Sequence, residues 1–260
     1  VQLADGSLGV QGLPRGQVQR ARRRHERGRV RGLHCYGRIL HGGVIDVPHR
    51  PLLPGGIDGA IAVRADSEFQ TLEQLVEALR KDPSKVVIGS GGTVGSQDWM
   101  QTALVARAAG INPRSLRYVA MEGGGELATA LLGGHIQVAS TDISDSMPHV
   151  ESGDMRILAI LADERLAGDI VEDIPTAEEQ GFDVQWPVIR GFYMGPDVSD
   201  EDFAWWKGTF EHMLASDEFA TLREQRELFP FALTGAELET YVKEHVAEYK
   251  ELAGEFGLTQ

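Results

Sequence analysis

Two successive segments, VVIGSGGTVGS (residues 86–96) and LRYVAMEGGGE (116–126), each pass from a short apolar run through a glycine-rich turn into a helical pattern. A chain that repeats strand, turn and helix has few ways to bury its apolar residues, and the simplest is a parallel sheet joined by crossover helices on both faces. Glycines at 91, 92 and 95 leave no side chains between the turn's amides and a visitor. The helix that follows adds unpaired N–H groups and the positive end of its dipole. Such a turn suits an anion, either a phosphate or a carboxylate.

The same rhythm extends on both sides. IAVRA (61–65) reads as a strand, TLEQLVEALRKDP (71–83) as a capped helix stopped by Pro83, and VVIGS (86–90) as a buried strand. A helix from Ser96 to Ala109, a strand LRYVA (116–120), a helix ELATALLGG (126–134) and a strand IQVAS (136–140) follow. MRILAIL (155–161) is a further strand, PTAEEQG (175–181) a short helix, and VQWPVIRGFYMGP (184–196) an extended crossing able to link two lobes. The end is helical. In its last segment Leu238, Tyr241, Val242, His245, Tyr249, Leu252 and Phe256 recur every three or four residues, one apolar face for packing on a sheet.

The glycine turn fails the nucleotide and nucleophile tests. A Walker loop requires lysine after its last glycine, where Ser96 and Gln97 follow Gly95. A GxGxxG fingerprint begun at Gly89 and Gly91 ends on Val94. A GxSxG elbow needs glycine two residues before Ser90 or Ser96, where Ile88 and Val94 stand. His135, His149, His212 and His245 lack the spacing that sets two metal ligands on one helix face, and Cys35 is the only cysteine. No metal or cofactor is therefore expected. Glu122, Glu126, Asp142 and Asp145 sit beside turns and read as caps or dipole partners, with a general acid/base pair as the rarer alternative, and Trp205 and Trp206 read as packing anchors in preference to a stacking platform. What survives is the pair of glycine turns, each set where open α/β sheets bind ligands; the alternative is that the glycines merely permit tight connections.

Charge divides the chain. Residues 1–50 hold ten arginines and three acids, a formal +7, whereas residues 51–260 hold fifteen basic and thirty-six acidic residues, −21, within an overall −14. An acidic body is poorly suited to a nucleic-acid backbone, so an anion must be captured by local dipoles and a few placed donors. The first fifty-odd residues show neither helical nor strand periodicity. Three readings stand for 1–56: a basic arm for nucleic acid, an irregular folded segment, or a reading-frame artefact, which the abrupt change near Ile57 favours. No run reaches the length of a membrane span, and the start lacks a signal peptide's apolar core, as a mature or truncated exported protein would.

The order and spacing of VRADS, GSGG-x-x-GS, GGGELATALLGGH, ESGDMRILAI, PTAEEQG and RGFYMGP resemble the solute-binding proteins of tripartite tricarboxylate transporters, the TctC or Bug family, from about Ile57 to the end. The resemblance implies an α/β, two-lobed periplasmic binding protein fold of the type II, Venus-flytrap kind. It implies a non-enzymatic, monomeric receptor that captures a small carboxylate in the periplasm and presents it to membrane permease subunits, with no nucleic-acid partner. The rival reading is a small α/β enzyme acting on an acyl or phosphoryl substrate. Family members hold the carboxylate through backbone amides and water from one loop in each lobe. The second-lobe loop maps onto Gly91, Gly92, Thr93, Gly95, Ser96 and Gln97, with Ser96 or Thr93 hydroxyls and the Gln97 amide orienting the ligand; Gly124, Gly125 and Thr141 border the same cleft. Lobe one comprises 57–65 and 187–260, lobe two 66–186. The family's first strand and first glycine loop are not found in 1–56, so the first lobe reads as incomplete. Arg190, near the expected crossing, suits a hinge ion pair or a ligand clamp.

Overall fold

A computed structural model describes residues 34–35, 50–168, 170–194, 198–225, 233 and 235–258. Strands β1 (His34–Cys35), β2 (Arg50–Arg64), β3 (Val87–Gly91), β4 (Arg117–Met121), β5 (Val138–Asp142), β6 (Met155–Ile160) and β7 (Pro187–Met194) form one seven-stranded sheet. Its order is β1-β7-β2-β5-β3-β4, with β6 also paired to β2. The expectations for residues 1–56, an incomplete first lobe among them, lie largely outside the described residues.

β3 pairs parallel with β4 and with β5, as the repeated strand–turn–helix pattern requires. The sheet is not wholly parallel, however. β2 runs antiparallel to β5, β6 and β7 and so inserts a reversed strand between the parallel group and β7. It is also longer than the expected strand at 61–65, because the glycine-containing stretch before Ile61 continues the extended backbone. Its residues 50–58 pair with β7, from Arg50–Met194 to Asp58–Pro187, and its residues 59–62 pair with β5, from Gly59–Asp142 to Ala62–Ala139. One strand therefore changes partners between Asp58 and Gly59. The amide of Gly59 donates to the Trp186 carbonyl and that of Leu161 to the Gly59 carbonyl, which stitches the change-over.

The helices follow their capping signals. α1 (Leu72–Lys81) starts where Thr71 accepts from the Gln74 amide at 3.2 Å, buries Leu72, Leu75, Val76 and Leu79 on one face, and stops before Pro83. α2 (Gln97–Ala108) is capped by Ser96 and buried from Trp99 through Ala106, so it lies inside the molecule rather than on it. α3 (Gly124–Leu132) leads into β5, and α4 (Ile143–Glu151) leads out of it. α4 has no counterpart in the sequence expectation, since Pro148 within a polar run masks its helical character. PTAEEQG, read as a short helix, forms only the 3₁₀ turn Glu178–Gln180. Thr176 and Glu179 cap one another there, and Gln180 binds the Leu72 amide and the Leu158 carbonyl, spending its side chain on neighbours rather than on helix extension.

α5 (Asp200–Leu214), α6 (Asp217–Glu224) and α7 (Gly235–Glu255) complete the chain. The apolar face expected for the last segment is in place: Leu238 and Leu252 of α7, and Phe256 just beyond it, are buried, and the Trp186 ring meets both His245 and Tyr249 at 5.9 Å. The main core gathers Ile57, Leu72, Leu75, Ile88, Met100 and Leu131 around the sheet. Truncating any of these to alanine typically costs about 2–5 kcal/mol, so the edge that carries the glycine turns rests on a firm base.

Candidate binding site at the carboxyl edge of the sheet

The last register pair of β3 and β4 is Gly91–Met121, and that of β3 and β5 is Ser90–Ser140. Three parallel strands thus end at one edge, and the turns that follow them share it. Gly92 and Gly95 adopt φ of 81° and 87°, a region that side chains disfavour. The Gly92 amide donates to the Met121 carbonyl at 2.8 Å, tying the first turn to the end of the second strand. The Ser96 amide donates back to the Thr93 carbonyl at 2.8 Å and closes the loop.

Four hydroxyls hold this turn from beneath and beside. Ser96 donates to the Gly91 carbonyl at 2.9 Å and accepts from the Trp99 amide, so its hydroxyl serves as the helix cap. Tyr118 donates to the Gly92 carbonyl at 2.6 Å and also bonds the Ser90 hydroxyl at 2.7 Å. Tyr249, from α7, donates to the Gly95 carbonyl at 2.6 Å. Burial pushes both phenols above their usual range, so at neutral pH they remain protonated donors. The carbonyls of Gly91, Gly92 and Gly95 are engaged, and the amides of Thr93, Val94, Gly95 and Gln97 make no backbone hydrogen bond among the described residues. Thr93 and Val94 form the exposed tip.

The second turn is built differently. The Glu126 carboxylate accepts from the Glu122 amide at 2.7 Å, and Leu127 begins the helix by donating to the Gly123 carbonyl. Gly124 and Gly125 occupy the first helical positions, where amides have no intrahelical acceptor. Carboxylates stand close to both turns: a Cβ on Gly91 would come within 2.5 Å of Asp98 Oδ2, and one on Gly124 within 2.5 Å of Asp145 Oδ2. A side chain at either position would push that carboxylate aside. Thr141 lies at the end of β5 opposite Ala60, buried, with its hydroxyl at 3.4 Å from the Asp142 carbonyl.

The expected residues therefore converge at one edge, with Gly91–Gln97 in the middle, Gly124 and Gly125 on the β4 side and Thr141 on the β5 side. The side chain of Arg190 lies outside the described residues. Sequence reasoning missed Tyr118, Tyr249 and Asp98. Tyr118 carried a weak signal, since it lies in the strand beside the turn; Tyr249 carried none, being 154 residues from its partner. It also missed Asp58, buried at the change-over of β2, whose carboxyl is pushed up to about 7 by burial, then by Asp163 and Asp142. Among the described residues no group of three His, Cys, Asp or Glu side chains is placed to hold a metal ion, and no helix is long and apolar enough to cross a membrane.

The fold is similar to that of an R. palustris protein solved with adipate (17% identity, TM-score 0.75, covering 86% of this chain and 77% of that one). It is also similar to MatC from Rhodopseudomonas palustris with bound malate (16% identity, TM-score 0.70, covering 84% and 77%). Among curated sequences, the UPF0065 protein in the gbd 5′ region of Cupriavidus necator is 27% identical over 129 residues, 50% of this chain and 37% of that protein. The match thus spans little more than a third of that relative's length. The family described as the tripartite tricarboxylate transporter family receptor, TctC, matches residues 56–258, nearly everything after the basic segment, and the chain belongs to that family.

Proposed function

We propose that this chain is a solute-binding receptor that captures a small carboxylate for a tripartite tricarboxylate-type transporter, using the turn at 91–97 as its second-lobe half-site. The observation that carries this reading is the set of amides at Thr93, Val94, Gly95 and Gln97 that make no backbone hydrogen bond, in a turn whose Gly91, Gly92 and Gly95 carbonyls are held by hydroxyls. Oriented amides at a helix N-terminus bind carboxylate oxygens without a cationic side chain. Gly124 and Gly125 add the start of a second helix beside them. Ser96 then acts as the cap that shapes the turn, leaving the Thr93 hydroxyl and the Gln97 amide to orient the ligand. The adipate and malate held by proteins of like fold make dicarboxylates the first ligands to try.

In this reading β2 and β7 are the crossing strands between lobes. The proposed division remains 57–65 with 187–260 against 66–186; what supports a crossing between these parts is that β2 leaves β7 for β5 between Asp58 and Gly59, beside the Trp186 carbonyl that accepts from Gly59. The receptor works in the periplasm as a monomer, hands its ligand to membrane permease subunits, and performs no chemistry on it. Isothermal calorimetry with malate, adipate and citrate tests the reading. Micromolar or tighter heats with one of them support it, and turnover of an acyl or phosphoryl substrate without carboxylate binding would replace it with the enzyme reading.

A further inference from the structure

We propose that Tyr249 is a positioning residue for the glycine turn, and that the carboxyl-terminal helix sets the geometry in which the turn's amides meet a ligand. The claim concerning affinity rests on the carboxylate-receptor reading; the claim concerning the turn does not. Tyr249 lies on α7 but hydrogen-bonds across to the Gly95 carbonyl at 2.6 Å. The same end of the helix is anchored to the second-lobe helix α2 at several points. Arg107 pairs with Glu255 at 2.8 Å, Trp99 meets Phe256 edge-on at 5.8 Å, and Leu258 stands 3.2 Å from where a Cβ on Gly95 would be. Behind Tyr249, its ring touches Trp186, the residue whose carbonyl accepts from Gly59 at the strand change-over.

Gly95 is where such a hold matters. A glycine at φ 87° can rotate its following peptide at little cost, because no Cβ selects between orientations. In that peptide the Gly95 carbonyl and the Ser96 N–H point in opposite directions. The Tyr249 hydroxyl fixes the carbonyl, so the Ser96 N–H is directed to the Thr93 carbonyl and the 93–96 loop stays closed. Release of that carbonyl lets the peptide turn over, opens the loop and scatters the amides of Thr93, Val94 and Gly95. Tyr118 holds the Gly92 carbonyl in the same manner from the sheet side, so the two phenols brace the turn at both ends.

The test is Tyr249→Phe in the full chain, which keeps the ring packed on Trp186 and removes only the hydroxyl, beside Arg107→Gln, which loosens the same helix end without touching the turn. Malate and adipate serve as probes by calorimetry. Backbone NMR reads the Gly95 carbonyl ¹³C shift and the exchange rate of the Ser96 amide. Expected for Tyr249→Phe are an upfield Gly95 carbonyl shift, faster Ser96 exchange and affinity lower by about three- to tenfold, the worth of one such hydrogen bond. Arg107→Gln should leave the Gly95 shift in place. Unchanged Gly95 and Ser96 signals in Tyr249→Phe overturn the inference, as does an equal disturbance of the turn by Arg107→Gln. If wild-type protein binds neither acid while Tyr249→Phe still disturbs Gly95 and Ser96, the positioning role stands and the carboxylate reading falls.

Discussion

Gly92 and Met121 are joined by a 2.8 Å hydrogen bond from the amide of the first glycine turn to the carbonyl that ends the next strand. The bond makes the two turns one structure. From that bond the turn runs on through Gly92 and Gly95 at φ of 81° and 87°.

Valine at either position should therefore disrupt the site. A β-branched residue in this region is strained by more than the roughly 1–2 kcal/mol that an ordinary side chain pays. At Gly95 its Cβ would also crowd Leu258 at 3.2 Å. We expect Gly92→Val and Gly95→Val to lower carboxylate affinity by well over tenfold while circular dichroism shows a folded protein. Folded variants that titrate like wild type in calorimetry would remove the turn from the site.

The buried Asp58 carboxyl links stability to pH. Burial, reinforced by Asp163 and Asp142, raises its value from 3.8 to about 7. Since the folded value exceeds the unfolded one, the native state holds the proton more tightly. The group's contribution is most favourable below pH 3.8, declines as pH rises towards 7 and is level above that. The gap corresponds to a cost on the order of 4 kcal/mol above neutrality. Asp58→Asn should raise the urea midpoint at pH 8 and flatten the decline between pH 5 and 7; an identical decline in wild type and variant would show that Asp58 is not its source.

Gly59 tests the strand change-over. A Cβ there would lie 2.7 Å from the Gln101 Cδ, and Gln101 is fully buried with its Oε1 accepting from the Ser140 hydroxyl. Overpacking of this kind costs about 1–3 kcal/mol. Gly59→Ala should lose stability in that range, and most of the loss should disappear in the background of Gln101→Ala, measured as a double-mutant cycle by chemical denaturation. Additive effects would mean that the two residues do not meet.

Local features of the fold were legible because they are written in adjacent residues. Thr71 and Ser96 announce the starts of α1 and α2, Pro83 announces a stop, and the glycines of 91–95 and 123–125 mark turns at strand ends. Long-range choices were not. Nothing near β2 states that it runs against β5, whose residues lie some eighty positions later, and the pairing of Gly59 with Asp142 emerges only from packing. The candidate site divides in the same way: its turn could be read from glycines, while Tyr249, which holds the Gly95 carbonyl, belongs to a distant helix whose periodicity speaks only of burial.

Salt offers a further discriminating measurement. The chain carries a formal −14, so a dicarboxylate approaches a repulsive field and is favoured only within reach of the turn's amides and helix dipoles. Raising ionic strength from about 0.01 to 0.15 M shortens the screening length from roughly 30 to 8 Å, which weakens the long-range repulsion more than the short-range attraction. The association rate for malate or adipate should therefore rise a few-fold over this range in stopped-flow fluorescence, with the four tryptophans as reporters. A site governed by an exposed arginine clamp would behave in the opposite sense, because screening would weaken the steering charge. A rate that falls steeply with salt would thus move the source of affinity from the backbone of residues 91–97 to a cationic side chain.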